Sequence, residues 1–156
     1  MLFIPTPPEE RTPSALRILG DRNMSVREIT DRLVAKGTGE ETAEETARWL
    51  EDIGAVNDAE YASLIVRHYA AKGYGLSRVR NELYRRGIPR ELWEDALAEL
   101  SGTEEAAYAL LRARLGGEKP DRARLKKATD ALFRRGFTWD EIKSAVERYE
   151  NETGES

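Results

Sequence analysis

Three glycines, each preceded by the same apolar pattern, recur at nearly constant spacing along this chain of 156 residues. They are Gly37, Gly87 and Gly136, with spacings of 50 and 49 residues. Glycine readily adopts the left-handed conformation that ends a helix, so each glycine is predicted to follow a helix, called a middle helix below. The residues four, eight and eleven positions before each glycine are apolar, and they are Leu33, Ile29, Val26, Leu83, Val79, Leu76, Leu132, Ala128 and Leu125. These offsets place one apolar face on each middle helix and indicate three tandem repeats.

Further helices are predicted on both sides of each middle helix. The segments after Gly87 and Gly136 align without a gap, and Pro89 and Thr138 stand where the next helix should begin. Earlier helices fit at residues 15–19, 61–71 and 105–115. No segment shows the sustained alternation of a strand. The chain is therefore predicted to be all-α, with three tandem three-helix repeats in an elongated, curved array of right- or left-handed winding. A single compact bundle is the alternative.

The repeats are predicted at residues 14–56, 57–101 and 102–150. Four of the six prolines lie within residues 1–13, which are expected to form an irregular leader. The polar residues 151–156 are expected to form a frayed tail. The leader has too few consecutive apolar residues for a signal peptide, and no apolar run reaches the length of a membrane span. A monomer in the cytoplasm, without membrane contact, is expected.

The composition argues against most kinds of catalytic site. The chain has no cysteine and one histidine, His68, which excludes disulfides, thiolate nucleophiles and metal sites built from cysteine or histidine. The carboxylates are scattered at salt-bridge spacing, and no glycine-rich phosphate loop follows a strand. An enzyme is therefore the least supported class, and no metal or cofactor is expected.

Charge is segregated along the chain, although its net value is only −4. Residues 66–90 carry seven basic residues and one acidic residue, and residues 112–135 carry nine basic and three acidic residues. Residues 40–60 carry one basic and eight acidic residues. The helices predicted after the middle helices are acidic, so DNA phosphates would repel them, which argues against a base-reading helix-turn-helix. Basic faces on the middle helices of repeats two and three are predicted instead, either as partner-binding surfaces or as solvated faces.

Individual residues stand out within this pattern. Helical periodicity places Arg78 and Arg85 opposite the buried face in repeat two, and the basic pair recurs at aligned positions in repeat three. Tyr74 lies between two glycines and is expected either to contact a partner or to pack as a hinge residue. Trp139 aligns with Arg90 of repeat two and is expected to be exposed.

From Ser14 to about Tyr149 the chain resembles the RecX regulators of the bacterial RecA recombinase. The most specific residues are Lys72-Gly73-Tyr74-Gly75, Arg78, Glu82-Leu83 and Gly87-Ile88. Asn57-Asp58, Tyr61-Ala62 and the segment from Leu132 to Phe137 are also similar to the family pattern.

The resemblance implies a non-enzymatic regulator that binds the RecA–DNA filament and restrains ATP hydrolysis, strand exchange and LexA cleavage. Its setting would be homologous recombination, DNA repair and the SOS response. The residues expected to contact the filament protein, or the DNA within it, are Lys72, Tyr74, Arg78, Arg85, Arg86, Lys127, Arg134 and Arg135. The alternatives are a stand-alone DNA-binding protein, which would bind naked DNA with steep salt dependence, and a generic helical scaffold.

Overall fold

The fold is a succession of short helices, seen in a computed structural model that describes residues 23–154. The α-helices are α1 (Val26–Ala35), α2 (Glu40–Asp52), α3 (Asp58–Ala71), α4 (Leu76–Arg85), α5 (Trp93–Ala98), α6 (Thr103–Leu115), α7 (Arg122–Arg134) and α8 (Trp139–Gly154). A short 3-10 helix, Arg90–Leu92, leads into α5. These residues contain no strand, so the all-α prediction is confirmed for them. The leader at 1–13 and the helix expected at 15–19 lie outside the described residues.

Helices α1, α4 and α7 are the three middle helices. The glycines that follow them, Gly37, Gly87 and Gly136, have φ angles of 100°, 73° and 89°, which confirms the predicted left-handed helix ends. The apolar residues four and eight positions before each glycine are at most 2% exposed, as predicted. The residues eleven positions before each glycine, Val26, Leu76 and Leu125, are half-buried. None of the helices in the described part of the chain is long and apolar enough to cross a membrane.

The packing divides the chain into two compact units. The first unit contains residues 23–64 and Leu83–Ala96. Its buried core consists of Met24, Ile29, Leu33, Ala43, Ala47, Leu50 and Val56. Helix α1 begins with a reciprocal capping box, in which Ser25 Oγ accepts from the Glu28 N–H at 3.0 Å and Glu28 Oε1 accepts from the Ser25 N–H at 3.2 Å.

The second unit contains Ile65–Glu82 and residues 97–154. Helices α6, α7 and α8 enclose its core, which consists of Ala107, Tyr108, Leu111, Leu115, Ala128, Leu132, Phe137, Ile142, Ala145 and Tyr149. The boundary between the units falls inside α3, α4 and α5, so the residues of the second repeat are shared between both. The repeat limits at 14–56, 57–101 and 102–150, and the curvature of the array, stay predictions.

Helix α8 continues past residue 150, where the last repeat was expected to end and a frayed tail to begin. The helix extends to Gly154 because its last turns are anchored. Tyr149 is buried, Thr153 Oγ1 donates to the Tyr149 carbonyl at 3.0 Å, and Glu152 accepts a hydrogen bond from the Tyr108 hydroxyl.

Candidate partner-binding surface

The elbow, residues 72–75, connects α3 to α4 and packs against the end of α7. The Gly75 N–H donates to the Arg135 carbonyl at 3.2 Å. A Cβ on Gly75 would lie 2.3 Å from the Cα of Phe137, so only glycine fits without a backbone shift. Within the second unit, the elbow therefore packs the start of α4 against the end of α7.

Two tyrosines and two arginines form a contiguous elbow cluster: Tyr69, Tyr74, Arg78 and Arg135. The guanidinium carbon of Arg135 lies 4.2 Å from the centroid of the Tyr74 ring, and that of Arg78 lies 5.1 Å from the same centroid. Arg78 also lies 5.8 Å from the Tyr69 ring. Arg135 Nη2 donates to the Lys72 carbonyl at 2.6 Å. These cation–π contacts and this hydrogen bond stabilise the elbow, so Tyr74 occupies the hinge-packing position that the sequence left open.

Arg78, predicted to face outward, is instead half-buried. Its N–H donates to the Gly136 carbonyl at 3.3 Å, so the chain that leaves α7 covers the start of α4. Its Nε lies 3.5 Å from Oε1 of Glu82, a residue that is 2% exposed. Helical periodicity alone could not reveal this covering segment.

Arg86 belongs to the first unit and is also half-buried. Its Nη1 donates to the Tyr61 hydroxyl at 2.7 Å, and its carbonyl accepts from Ser25 Oγ. Burial raises the pKa of the Tyr61 hydroxyl, an effect that the hydrogen bond from Arg86 opposes. Arg86 therefore connects the end of α4 to α3 and to the start of α1.

Among the exposed cations of α7, Lys127 and Arg134 form what we call the α7 stripe. They are seven residues apart, which places them on one face of the helix. Neither forms an ion pair within residues 23–154. Their neighbour Lys126, by contrast, pairs with Asp130 at 3.0 Å. The α7 stripe is thus a surface with uncompensated positive charge.

The eight predicted contact residues separate into two groups. Lys72, Arg85, Lys127 and Arg134 are exposed, whereas Tyr74, Arg78, Arg86 and Arg135 are half-buried. Arg85 and Arg86 lie in the first unit and the other six in the second. A contact with a partner stays a prediction for all eight, and exposure favours the first group.

An apolar groove that sequence reasoning missed lies between α7 and α8. Its apolar walls are Leu125, Trp139, Ile142 and Val146, and its volume is about 400 Å³. Trp139 is 62% exposed, as predicted, and stacks on Phe133, with ring centroids 6.4 Å apart and planes 4° from parallel. Two sequence signals were available. Trp139 stands where repeat two has Arg90, and Phe133 is an aromatic residue next to the core residue Leu132.

The fold and these surfaces define a class of protein, an all-α chain of three-helix repeats. In each unit, the glycine after one middle helix packs against the start of the preceding middle helix. Family models of the second and third three-helix domains of RecX match residues 57–97 and 103–146. The chain belongs to the RecX family, and the predicted family membership is confirmed.

Relatives that align over most of their length carry the name regulatory protein RecX. A protein from Stenotrophomonas maltophilia strain R551-3 is 39% identical over 147 residues, which cover 92% of this chain and 90% of the relative. A protein from Xanthomonas axonopodis pathovar citri strain 306 is 36% identical over 142 residues, or 88% of each chain.

Solved structures share the fold. The crystal structure of RecX from Lactobacillus salivarius has a TM-score of 0.79 at 23% identity, and the match covers 90% of this chain and 94% of that one. A second crystal structure of regulatory protein RecX has a TM-score of 0.76 at 23% identity and covers 88% of this chain and 73% of the other. The predicted fold class of tandem three-helix repeats is confirmed.

Proposed function

We propose that this protein is a non-enzymatic regulator that binds the RecA–DNA filament and inhibits its recombinase, ATPase and co-protease activities. The observation that carries the proposal is membership of the RecX family, whose relatives are named regulatory proteins. RecA is the partner that the family resemblance implies. The proposal places the protein in homologous recombination, DNA repair and the SOS response.

The α7 stripe supplies the electrostatic part of the proposed contact. Lys127 and Arg134 lie about 10 Å apart along the helix axis, given the 1.5 Å rise per residue. Their charges are uncompensated within the described residues, so they attract an acidic protein surface or the backbone of filament DNA. Lys72 and Arg85, which are also exposed, are the further proposed contacts.

The elbow cluster has a different proposed role. Arg78 and Arg135 both lie over the Tyr74 ring and hold the elbow in a fixed geometry, and Arg86 holds the end of α4 against Tyr61 in the first unit. We therefore assign these four residues to positioning the exposed cations, and assign direct filament contact to the exposed group.

The test is the ATPase activity of RecA on single-stranded DNA with this protein titrated in. The wild-type protein should inhibit hydrolysis. The double variant Lys127→Glu/Arg134→Glu should need at least about tenfold more protein for half-inhibition, because two attractions become repulsions. The matched control is Arg32→Glu/Arg114→Glu, which reverses two exposed cations on α1 and α6 that are not predicted contact residues and changes the net charge equally.

The outcomes separate the parts of the proposal. If the wild-type protein leaves RecA hydrolysis unchanged at saturating concentration, the proposed function is wrong. If both double variants inhibit like the wild type, the α7 stripe is not the contact. Circular dichroism should show the same helicity for all three proteins, so that a loss of inhibition is not a loss of fold.

A further inference from the structure

The apolar groove follows α7 and α8 for about two helical turns. Helix α7 contributes Leu125 and Thr129, which are four residues apart. Helix α8 contributes Trp139, Ile142 and Val146, at intervals of three and four residues. This spacing places the residues on one strip of each helix, so the groove is continuous. Its volume of about 400 Å³ is large enough for apolar side chains of a partner.

Two exposed aromatic rings distinguish this region from repeat two. Trp139 is 62% and Phe133 is 48% exposed, and their rings stack. Phe133 aligns with Tyr84, which is also exposed, but Trp139 aligns with Arg90, whose guanidinium lies over the Trp93 ring at 5.0 Å. The aromatic pair therefore belongs to repeat three alone. Aromatic residues are enriched in protein–protein interfaces relative to the rest of the surface, which makes this exposed pair a candidate contact.

The rim of the groove is mostly basic. Arg122 and Lys126 on α7 and Lys143 on α8 border it, together with one acid, Glu147. Lys126 pairs with Asp130, but Arg122 and Lys143 pair with no carboxylate in the part of the chain that the structure describes. An apolar floor with a positive rim is complementary to an apolar segment flanked by acidic residues.

We propose that this groove binds an acidic amphipathic helix of a protein partner. Apolar side chains at positions i, i+3 or i+4, and i+7 of that helix would enter the groove, and flanking Asp or Glu residues would meet Arg122 and Lys143. Trp139 is the anchor on this side, since large aromatic residues dominate the energetics of such contacts. The inference rests on the groove alone and does not require that RecA be the partner.

Single-stranded nucleic acid is a less suitable occupant. Basic surfaces with aromatic rings do bind unpaired bases by stacking. Here, however, Leu125, Ile142 and Val146 make the floor aliphatic, and Trp139 already stacks on Phe133. The floor favours aliphatic side chains over flat polar bases.

The experiment uses a fluorescein-labelled peptide of about four helical turns, with leucines on one face and glutamates on both flanks. A second peptide carries lysine in place of every glutamate, and labelled oligothymidine is the third probe. Each is titrated with the full chain by fluorescence anisotropy, as wild type, Trp139→Ala and Lys143→Glu. The matched control is Tyr84→Ala, which truncates an equally exposed aromatic side chain in repeat two.

The acidic peptide should bind the wild type and the Tyr84→Ala control equally. Trp139→Ala should weaken binding by at least about tenfold, as expected for an aromatic anchor. Lys143→Glu should weaken the acidic peptide and strengthen the lysine peptide. Because Trp139 and Lys143 are exposed, both variants should keep the wild-type circular dichroism spectrum.

Three outcomes would overturn the proposal: no binding of the acidic peptide, equal binding of the lysine peptide, or no effect of Trp139→Ala. If Trp139→Ala weakens oligothymidine and leaves the peptide unaffected, the groove is a nucleic-acid surface and the proposal is also wrong. Inhibition of the RecA ATPase is measured separately, so a failure of the proposed function remains distinguishable from a failure of the groove.

Discussion

A Cβ added to Gly136 would lie 2.3 Å from the Cβ of Arg78, which is closer than packed carbon atoms allow. At Gly87 the corresponding distance, to the Cβ of Arg27, is 2.7 Å, whereas nothing lies within 4 Å at Gly37. Gly87 and Gly136 therefore have two roles. Each ends a middle helix, and each leaves room for the start of the preceding middle helix, which is α1 at Gly87 and α4 at Gly136. The sequence predicted the helix ends correctly, but one sequence does not report which segment packs against a turn.

This difference predicts unequal costs for equal substitutions. Gly37→Ala should lower the free energy of unfolding by about 1–2 kcal/mol, because alanine is strained at positive φ. Gly136→Ala should cost about a further 1–3 kcal/mol, because the methyl group also displaces Arg78. Urea denaturation measures both. The control is Gly39→Ala, where φ is −59° and the space is open. Alanine is a poorer N-cap for α2 but restricts the unfolded chain, and these opposing effects should leave the free energy of unfolding within about 1 kcal/mol of wild type. Equal losses for Gly37→Ala and Gly136→Ala would contradict the packing argument.

Among the helices, two middle helices have their first N–H satisfied by a carboxylate from elsewhere in the same unit. The Val26 N–H of α1 donates to Asp58 Oδ1 at 3.0 Å. The Leu76 N–H of α4 donates to Glu141 Oε1 at 3.2 Å, and the same oxygen accepts from the Thr138 N–H at 2.8 Å. Val26 and Leu76 occupy the same repeat position, so these hydrogen bonds fix where a middle helix begins relative to its neighbour.

The acceptor in the first unit predicts a pH dependence. Burial raises the pKa of the Asp58 carboxyl, and the hydrogen bond from Val26 opposes that shift. A group whose pKa is raised on folding stabilises the fold fully below its unfolded pKa, and this contribution is lost as pH rises through the folded pKa. Asp58→Asn keeps an acceptor for Val26 and removes the titration. Its stability relative to wild type should therefore rise as pH increases from about 4 and then level off.

Urea denaturation of both proteins across this pH range measures the difference. Asp58→Ala is the companion variant, because it removes the acceptor as well. It should be less stable than Asp58→Asn by about 1 kcal/mol throughout, the typical net value of one hydrogen bond. If the stability of Asp58→Asn relative to wild type fell as pH rises, the sign of this argument would be wrong.

Across the whole molecule, the repeat pattern could be predicted and the surface only partly. Periodicity and glycine spacing give helix positions and buried faces, because both depend on local geometry. The exposure of Arg78 could not be read in this way, because it depends on a segment about sixty residues away in sequence that covers the start of α4. The groove could not be predicted for a similar reason, because Leu125 and Trp139 line one groove only when α7 packs on α8.

The distribution of charge predicts weak binding to naked DNA. The net charge is −4, and the α7 stripe offers two uncompensated cations. If all four exposed residues of the predicted contact group, Lys72, Arg85, Lys127 and Arg134, meet phosphates, the logarithm of the affinity for naked DNA should fall with the logarithm of salt concentration with a slope no steeper than about −4. Affinity for RecA-coated DNA should be at least about tenfold higher at physiological salt, where an acidic protein surface can contribute. Anisotropy titrations with labelled DNA, with and without RecA, measure both quantities. Equal affinities and a steeper slope would favour the stand-alone DNA-binding alternative.

The close approach at Gly75 and Gly136 also has a consequence for the gene. Every single-base change that replaces glycine introduces a residue with a Cβ, whatever its polarity or size. At these two codons each such change collides with the backbone at Phe137 or with Arg78. Neither codon therefore has a single-base replacement that avoids the close approach, and a mutant library selected for stable folding should be depleted of every replacement at these two codons.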